Sequence, residues 1–121
     1  MKTAILDTNF IMTCIKQKID FFEDVTNLGF RILIPTQVIN ELKKLSIKNE
    51  GAKLSLKLLK KENDSFEKIN LEKYGKTTDK RIINFAKEHF DVVIGTLDKE
   101  IKDKTENNKI VIRGKKKLEV V

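Results

Sequence analysis

Short apolar runs of the strand type alternate with helix-spaced apolar segments along the whole chain, and that alternation leaves few folds open. Ala4-Ile5-Leu6, Phe30-Arg31-Ile32-Leu33-Ile34, Val92-Val93-Ile94 and Lys109-Ile110-Val111-Ile112 read as strands. A weaker strand signal lies at 68–71, and 118–121 reads as a last edge strand. Between them, Phe10, Ile11, Cys14 and Ile15 follow helical spacing, and a helical piece over 20–28 stops at Gly29. Pro35 closes the second strand, and Thr36 is expected to cap a helix carrying Val38, Leu42 and Leu45 on one face. Ala52, Leu56 and Leu59, widened by Leu54 and Leu58, mark a further helical stripe. Thr78 is expected to cap a helix burying Ile82, Ile83, Ala86 and Phe90, and a short helix starts at Lys99. Strands that alternate with helices in this way build a parallel sheet covered on both faces.

The 121 residues suit one domain spanning 1–121. A single Cys excludes a disulfide framework and a Cys-rich zinc site. Apolar runs of four or five residues are far short of the ~20 that span a bilayer. Met1-Lys2-Thr3-Ala4-Ile5-Leu6-Asp7 has too short an apolar core for a secretory signal, so a cytoplasmic chain without membrane contact is expected. The net charge is +7, and 22 of the 25 bases are Lys. Such a surface attracts polyanions, nucleic acids among them; it also serves as an ordinary solvated face.

The acids acquire meaning from the sheet. Ligands of open α/β sheets sit beyond the carboxyl ends of the strands. Asp7 lies one residue past the first strand, and Asp98 lies just past Val92-Val93-Ile94. Asp79 opens a helix three residues before Ile82, and Glu41 flanks the Val38/Leu42 face. Taken singly, each has an ordinary reading: Asp7 and Asp98 as turn or cap residues, Asp79 as an acid favoured at a helix N-terminus, Glu41 as a surface residue. Taken together, four carboxylates at one edge repel and raise one another's pKa unless a cation neutralises them. Mg²⁺ or Mn²⁺ suits an oxygen-only set, and such a centre in a basic chain suggests metal-assisted hydrolysis of a phosphodiester. Setting those four aside leaves twenty-five bases against fourteen acids, +11 for the rest of the chain.

The residues in these positions resemble the PIN-domain nucleases. The matching stretches are Ile5-Leu6-Asp7-Thr8-Asn9, Ile34-Pro35-Thr36-Gln37-Val38-Ile39-Asn40-Glu41-Leu42, Thr77-Thr78-Asp79 with Ile82-Ile83-Asn84-Phe85-Ala86, and Val92-Val93-Ile94-Gly95-Thr96-Leu97-Asp98-Lys99-Glu100-Ile101. The resemblance implies an α/β three-layer α/β/α sandwich with a central parallel sheet of four or five strands. It also implies Mg²⁺- or Mn²⁺-dependent cleavage of RNA, usually single-stranded. By matching position, Asp7, Glu41, Asp79 and Asp98 would be the catalytic and metal-holding carboxylates. Thr8, Asn9 and Thr96 would support them by hydrogen bonding, and Glu100 would assist a second, weaker metal. Leu97 departs from the polar residue common before the last Asp. No zinc ribbon of the kind larger relatives carry is present.

The stretch Ile110-Val111-Ile112-Arg113-Gly114-Lys115-Lys116-Lys117-Leu118 resembles small, archaeal-type members related to ribosomal-RNA-processing and toxin PIN proteins. Its basic turn reads either as a phosphate-contacting rim or as an ordinary hairpin. Members of this kind imply further partners: an antitoxin, a ribosome-assembly factor, or a second copy in a homodimer.

His89 near a helix C-terminus and Cys14 on an apolar face read as structural, and Phe21, Phe22, Phe66, Phe85 and Phe90 as packing residues. With no Trp and one Tyr, no base-stacking platform is evident. The alternative to an endoribonuclease is a non-catalytic RNA-binding PIN-like module. A phosphohydrolase of the haloacid-dehalogenase type needs a second Asp where this chain has Asn9, and no glycine-rich phosphate loop is present.

Overall fold

The computed structural model describes residues 2–114 and 116–121. In chain order the elements are β1 (Lys2–Leu6), α1 (Thr8–Lys16), α2 (Phe21–Asn27), β2 (Phe30–Pro35), α3 (Thr36–Leu45), α4 (Glu50–Lys61), β3 (Glu67–Ile69), a 3₁₀ turn (Glu72–Tyr74), α5 (Thr78–Glu88), β4 (Val93–Gly95), α6 (Lys99–Lys104), β5 (Lys109–Arg113) and β6 (Lys117–Val120). They form one six-stranded sheet in the order β3-β2-β1-β4-β5-β6. The first five strands run parallel. The sixth, β6, pairs antiparallel with β5 and adds one edge strand to the expected parallel set.

Alternation along the strands splits the apolar residues between two layers. Ala4 and Leu6 of β1, with Phe30, Ile32 and Ile34 of β2, pack against Phe10, Val25, Val38 and Ala52 from α1 to α4. Ile5 and Leu33 point the other way, into Leu71, Ile82, Phe85 and Ile101 from the 3₁₀ turn, α5 and α6. A period of two in the strands therefore makes three layers, α/β/α.

The winding reverses at β1. From β1 the chain steps outward to β2 and β3, then crosses back to lay β4 on the other side of β1. Ligands of open α/β sheets bind at such a switch point.

Local chemistry sets the helix ends. Asp20 accepts from Glu23 N at 3.1 Å and Asn49 from Ala52 N at 3.1 Å, each satisfying an orphan donor of a first turn. Gly29 turns the chain into β2 with φ 97°, where a side chain would be strained.

Four expectations are corrected. Thr36 does not cap α3: Pro35 occupies that position at φ −60°, ψ 140°, and Thr36 is already helical. Thr78 does not cap α5: the hydroxyl of Thr77 accepts from Lys80 N at 3.2 Å, and Thr78 is the first helical residue. Phe90 is 86 % exposed, because α5 ends at Glu88 and its helical register no longer applies. Leu45 and Leu54 are exposed as well, the inward face of α4 being Ala52, Ser55 and Leu59.

Candidate functional site

Asp7 stands at the switch point. Its backbone N–H donates to Gly95 O at 2.9 Å, tying the end of β1 to the end of β4. Its carboxylate is buried and has both oxygens engaged. Oδ1 accepts from Thr8 N at 2.8 Å, and Oδ2 accepts from the hydroxyl of Thr96 at 3.1 Å. The same Thr96 hydroxyl accepts from Asp98 N at 3.0 Å. Asp98 caps α6 by accepting from Glu100 N at 2.8 Å. Asp7 and Asp98 are thus helix caps, as the ordinary reading expected, and they also face one site from neighbouring strands.

Glu41 reaches the site from α3, half-buried. Its Oε2 accepts from the Thr78 hydroxyl at 3.1 Å. The residue expected to cap α5 instead holds a carboxylate. Thr77 and Thr78 are alike in sequence, so only the hydrogen bond from Thr78 to Glu41 across the sheet edge distinguishes the cap from the hydroxyl donor. Asp79 follows at once, in the first turn of α5.

The electrostatics show Asp7 and Asp79 feeling the other carboxylates. Burial, the largest cause, raises the pKa of Asp7, against the hydrogen bonds from Thr8 and Thr96; the charges of Glu41 and Asp98 raise it further. Asp79 is pushed up to about 6, first by burial, then by the Asp98 carboxylate, with which it shares a hydrogen bond, and by Asp7 and Glu41. None of the four takes part in an ion pair among the described residues.

Among the described residues, no group of three or more His, Cys, Asp or Glu side chains is gathered closely enough to hold a metal ion. The donor chemistry nonetheless fits a hard divalent cation. The set is all oxygen, and the neighbouring carboxylates raise the proton affinity of Asp7 and Asp79.

The remaining expected residues fall into place differently. Thr8 supports Asp7 through its backbone N–H, while its own hydroxyl is buried with no partner. Asn9 is exposed on the first turn of α1. Glu100 is exposed and pairs with Lys104 at 2.9 Å. His89 lies against Phe85, with Nδ1 2.9 Å from Phe85 O, and the Cys14 thiol is buried and pushed up to about 12, mainly by burial.

Sequence reasoning missed a polar cavity of about 440 Å³ beside Glu41, over the ends of β2 and β3. Gln37, Asn40, Lys44, Asn70 and Arg81 are among its walls. These residues lie on α3, the loop after β3 and α5, and no local pattern links them. On the other flank, β5 runs parallel to β4 and extends three residues beyond the Gly95–Ile110 pair. It carries the basic turn of Arg113, Lys116 and Lys117 to the acids' edge of the sheet; Lys115, read with that turn, lies outside the described residues. Among the described residues, no helix is long and apolar enough to cross a membrane.

Residues 4–117 match the model of a family described as a PIN like domain. The chain is similar to ribonuclease VapC4 of Methanocaldococcus jannaschii, 35% identical over 130 residues that cover 99% of this chain and 97% of that one. It is similar to the rRNA-processing protein fcf1 of Schizosaccharomyces pombe, 33% identical over 104 residues. That match covers 84% of this chain and 52% of the relative, so the chain spans about half of fcf1. The solved PIN domain endonuclease Utp24 superposes with a TM-score of 0.81 at 26% identity, covering 98% of this chain and 90% of that one. The DNA-bound VapBC of Salmonella typhimurium gives 0.66 at 17% identity over 90% and 98% of the two chains, a likeness of fold alone.

Proposed function

The chain belongs to the PIN-like domain family, and from that membership we propose that it is an endoribonuclease that cuts single-stranded RNA with the help of Mg²⁺ or Mn²⁺. The observation that carries the reading is the Thr96 hydroxyl joining Asp7 to Asp98, with the charges of Glu41 and Asp98 raising the pKa of Asp7 and Asp79. Both curated relatives are named for work on RNA, one as a ribonuclease and one in rRNA processing. A net charge of +7, with the basic turn after β5 beside the acids, supports a polyanionic substrate.

In this reading Asp7, Glu41, Asp79 and Asp98 would hold the ion, with Glu100 beside them. The bound ion supplies positive charge that favours a nucleophilic water and an anionic leaving oxygen. The chain's own residues orient the carboxylates. Thr96 holds Asp7 and the N-terminus of α6 through one hydroxyl, and Thr78 holds Glu41.

The test is cleavage of an end-labelled single-stranded RNA by the purified chain. Product should form with Mn²⁺ or Mg²⁺ and vanish with EDTA or in Asp98→Asn. Cleavage undiminished by EDTA overturns the mechanism. A second reading, an RNA-binding module without turnover, is favoured by the absence of a closed metal-holding cluster among the described residues. Binding unaffected by EDTA, with no product at any metal concentration, would establish it.

Two biological settings use the same chemistry. Growth arrest on induction, relieved by a co-produced small protein, identifies a toxin with its antitoxin. Sedimentation with ribosomal precursors identifies an RNA processor acting with assembly partners. Light scattering decides whether the chain works as a homodimer.

A further inference from the structure

The carboxylates occupy only the middle of the sheet's carboxyl edge. Beside them, over the ends of β2 and β3, the polar cavity of about 440 Å³ shares Glu41 and Thr78 with the acid site. Its volume lies within the roughly 300–1,000 Å³ of small-ligand sites.

The walls are held in place before any ligand arrives. Gln37 Nε2 donates to Asn70 Oδ1 at 2.9 Å, while Gln37 Oε1 accepts from Leu71 N at 3.0 Å. Asn70 Oδ1 also accepts from Glu72 N at 2.9 Å. The carbonyl of Asn70 is therefore committed, and its amide nitrogen keeps two donors. Arg81 is partly buried, and its Nε donates to Gly75 O at 2.9 Å, which fixes the guanidinium plane. Neither Arg81 nor Lys44 forms an ion pair among the described residues. Two cations that form no ion pair, next to oriented amides, suit a ligand that is anionic at one end and hydrogen-bonding at the other. Glu72, the cavity's second acid, leaves room for one phosphate and not for a run of them.

We infer that this cavity binds the nucleotide adjoining the one that is cut, with Arg81 and Lys44 on its phosphate and the Asn70 and Asn40 amides on its base edge. The inference rests on the reading of the chain as a protein that acts on RNA. It sends the RNA along the carboxyl edge, past the acids and over β2 and β3. Arg81 and Lys44 become binding residues and take no part in bond cleavage.

The experiment is fluorescence anisotropy of a labelled single-stranded oligoribonucleotide of mixed sequence, in EDTA, across a salt series. Arg81→Gln and Lys44→Ala should each weaken binding by roughly 3–10-fold. Each should lower the salt slope by about 0.7, the value for one phosphate contact on a single strand. Arg81 also holds Gly75, so Lys44→Ala, on the exposed last turn of α3, is the variant that decides. Lys60→Ala, an exposed lysine of α4 outside the cavity, is the control and should change affinity less than twofold. If Lys44→Ala and Lys60→Ala behave alike while the unsubstituted chain binds and cuts RNA, the cavity assignment falls and the nuclease reading stands. If the unsubstituted chain binds no RNA, both fall.

Discussion

The hydroxyl of Thr96 donates to Asp7 Oδ2 at 3.1 Å and takes the N–H of Asp98 at 3.0 Å, so one buried oxygen joins the ends of β1 and β4. Thr96→Val keeps the shape and removes the oxygen. It leaves the Asp98 N–H without its acceptor and Asp7 Oδ2 without its donor, at a cost of about 1–3 kcal/mol. Partners that orient metal-site ligands are commonly worth 10–100-fold in activity. Under the proposed nuclease function, Thr96→Val should therefore lose about that much RNA cleavage, and Thr96→Ser should recover most of it. Urea denaturation and a cleavage assay on both variants check the two halves separately.

Asp79 makes stability depend on pH in a defined direction. Its folded pKa, about 6, lies above the ordinary Asp value of 3.8. Between those values the folded chain binds more protons than the unfolded one, so stability falls as pH rises through the window. Asp7 acts in the same direction. In EDTA, the melting temperature should fall from pH 4.5 to 7, and less steeply in Asp79→Asn. At pH 7 that variant should melt higher, each kcal/mol of relieved repulsion being roughly 3–6 °C at this chain length. Saturating Mn²⁺ should remove the slope in the unsubstituted chain. Parallel melting curves for the two proteins in EDTA would refute the coupling.

Gly95 closes β4 where there is no room for a side chain. A Cβ there would lie 2.7 Å from Leu6 Cδ2 and 3.2 Å from Phe10 Cε2. Leu6 and Phe10 are fully buried and cannot swing clear. Gly95→Ala should cost about 1–3 kcal/mol, the usual price of overpacking. Gly114→Ala, where no atom lies within 4 Å but φ is 58°, carries backbone strain instead. Calorimetry on Gly95→Ala should show the loss, and a melting point equal to that of the unsubstituted chain would contradict the packing.

Asn107 sets the path into β4. Its buried Nδ2 shares its two N–H donors among Ala86 O at 3.2 Å, His89 O at 3.0 Å and Val92 O at 2.9 Å, gathering the end of α5 to the start of the strand. Ala86 O and His89 O keep backbone donors in His89 N and Val92 N, but Asn107→Ala removes the amide that ties them to Val92 O and should destabilise by about 1–3 kcal/mol. Asn107→Asp should cost more, because a carboxylate would face carbonyl oxygens. Hydrogen exchange at Val92 and Val93 should rise in both variants before that of β1 does.

Much of the fold was legible in one dimension because burial imposes its period on the chain. Ile5 points to one layer while Ala4 and Leu6 point to the other, and Val38 and Leu42 share a helix face, as local spacing required. The positions of Asp7 and Asp98 followed from the strands they terminate. The helix starts were less legible. Thr36 and Thr78 each have a neighbour able to take the cap position, and the choice is made by backbone geometry at Pro35 and by the contact of Thr78 with Glu41.

The amino-acid order by itself determined the parallel sheet, its covering helices and the carboxylates that end its strands, since each depends on residues close together in the chain. Only the tertiary structure decided that Thr96 bridges Asp7 and Asp98, that Thr78 holds Glu41, that Phe90 faces solvent, and that Gln37, Asn70 and Arg81 wall a common cavity. These contacts join side chains up to 89 positions apart. Such pairings are fixed by how whole layers pack, and no local spacing encodes them.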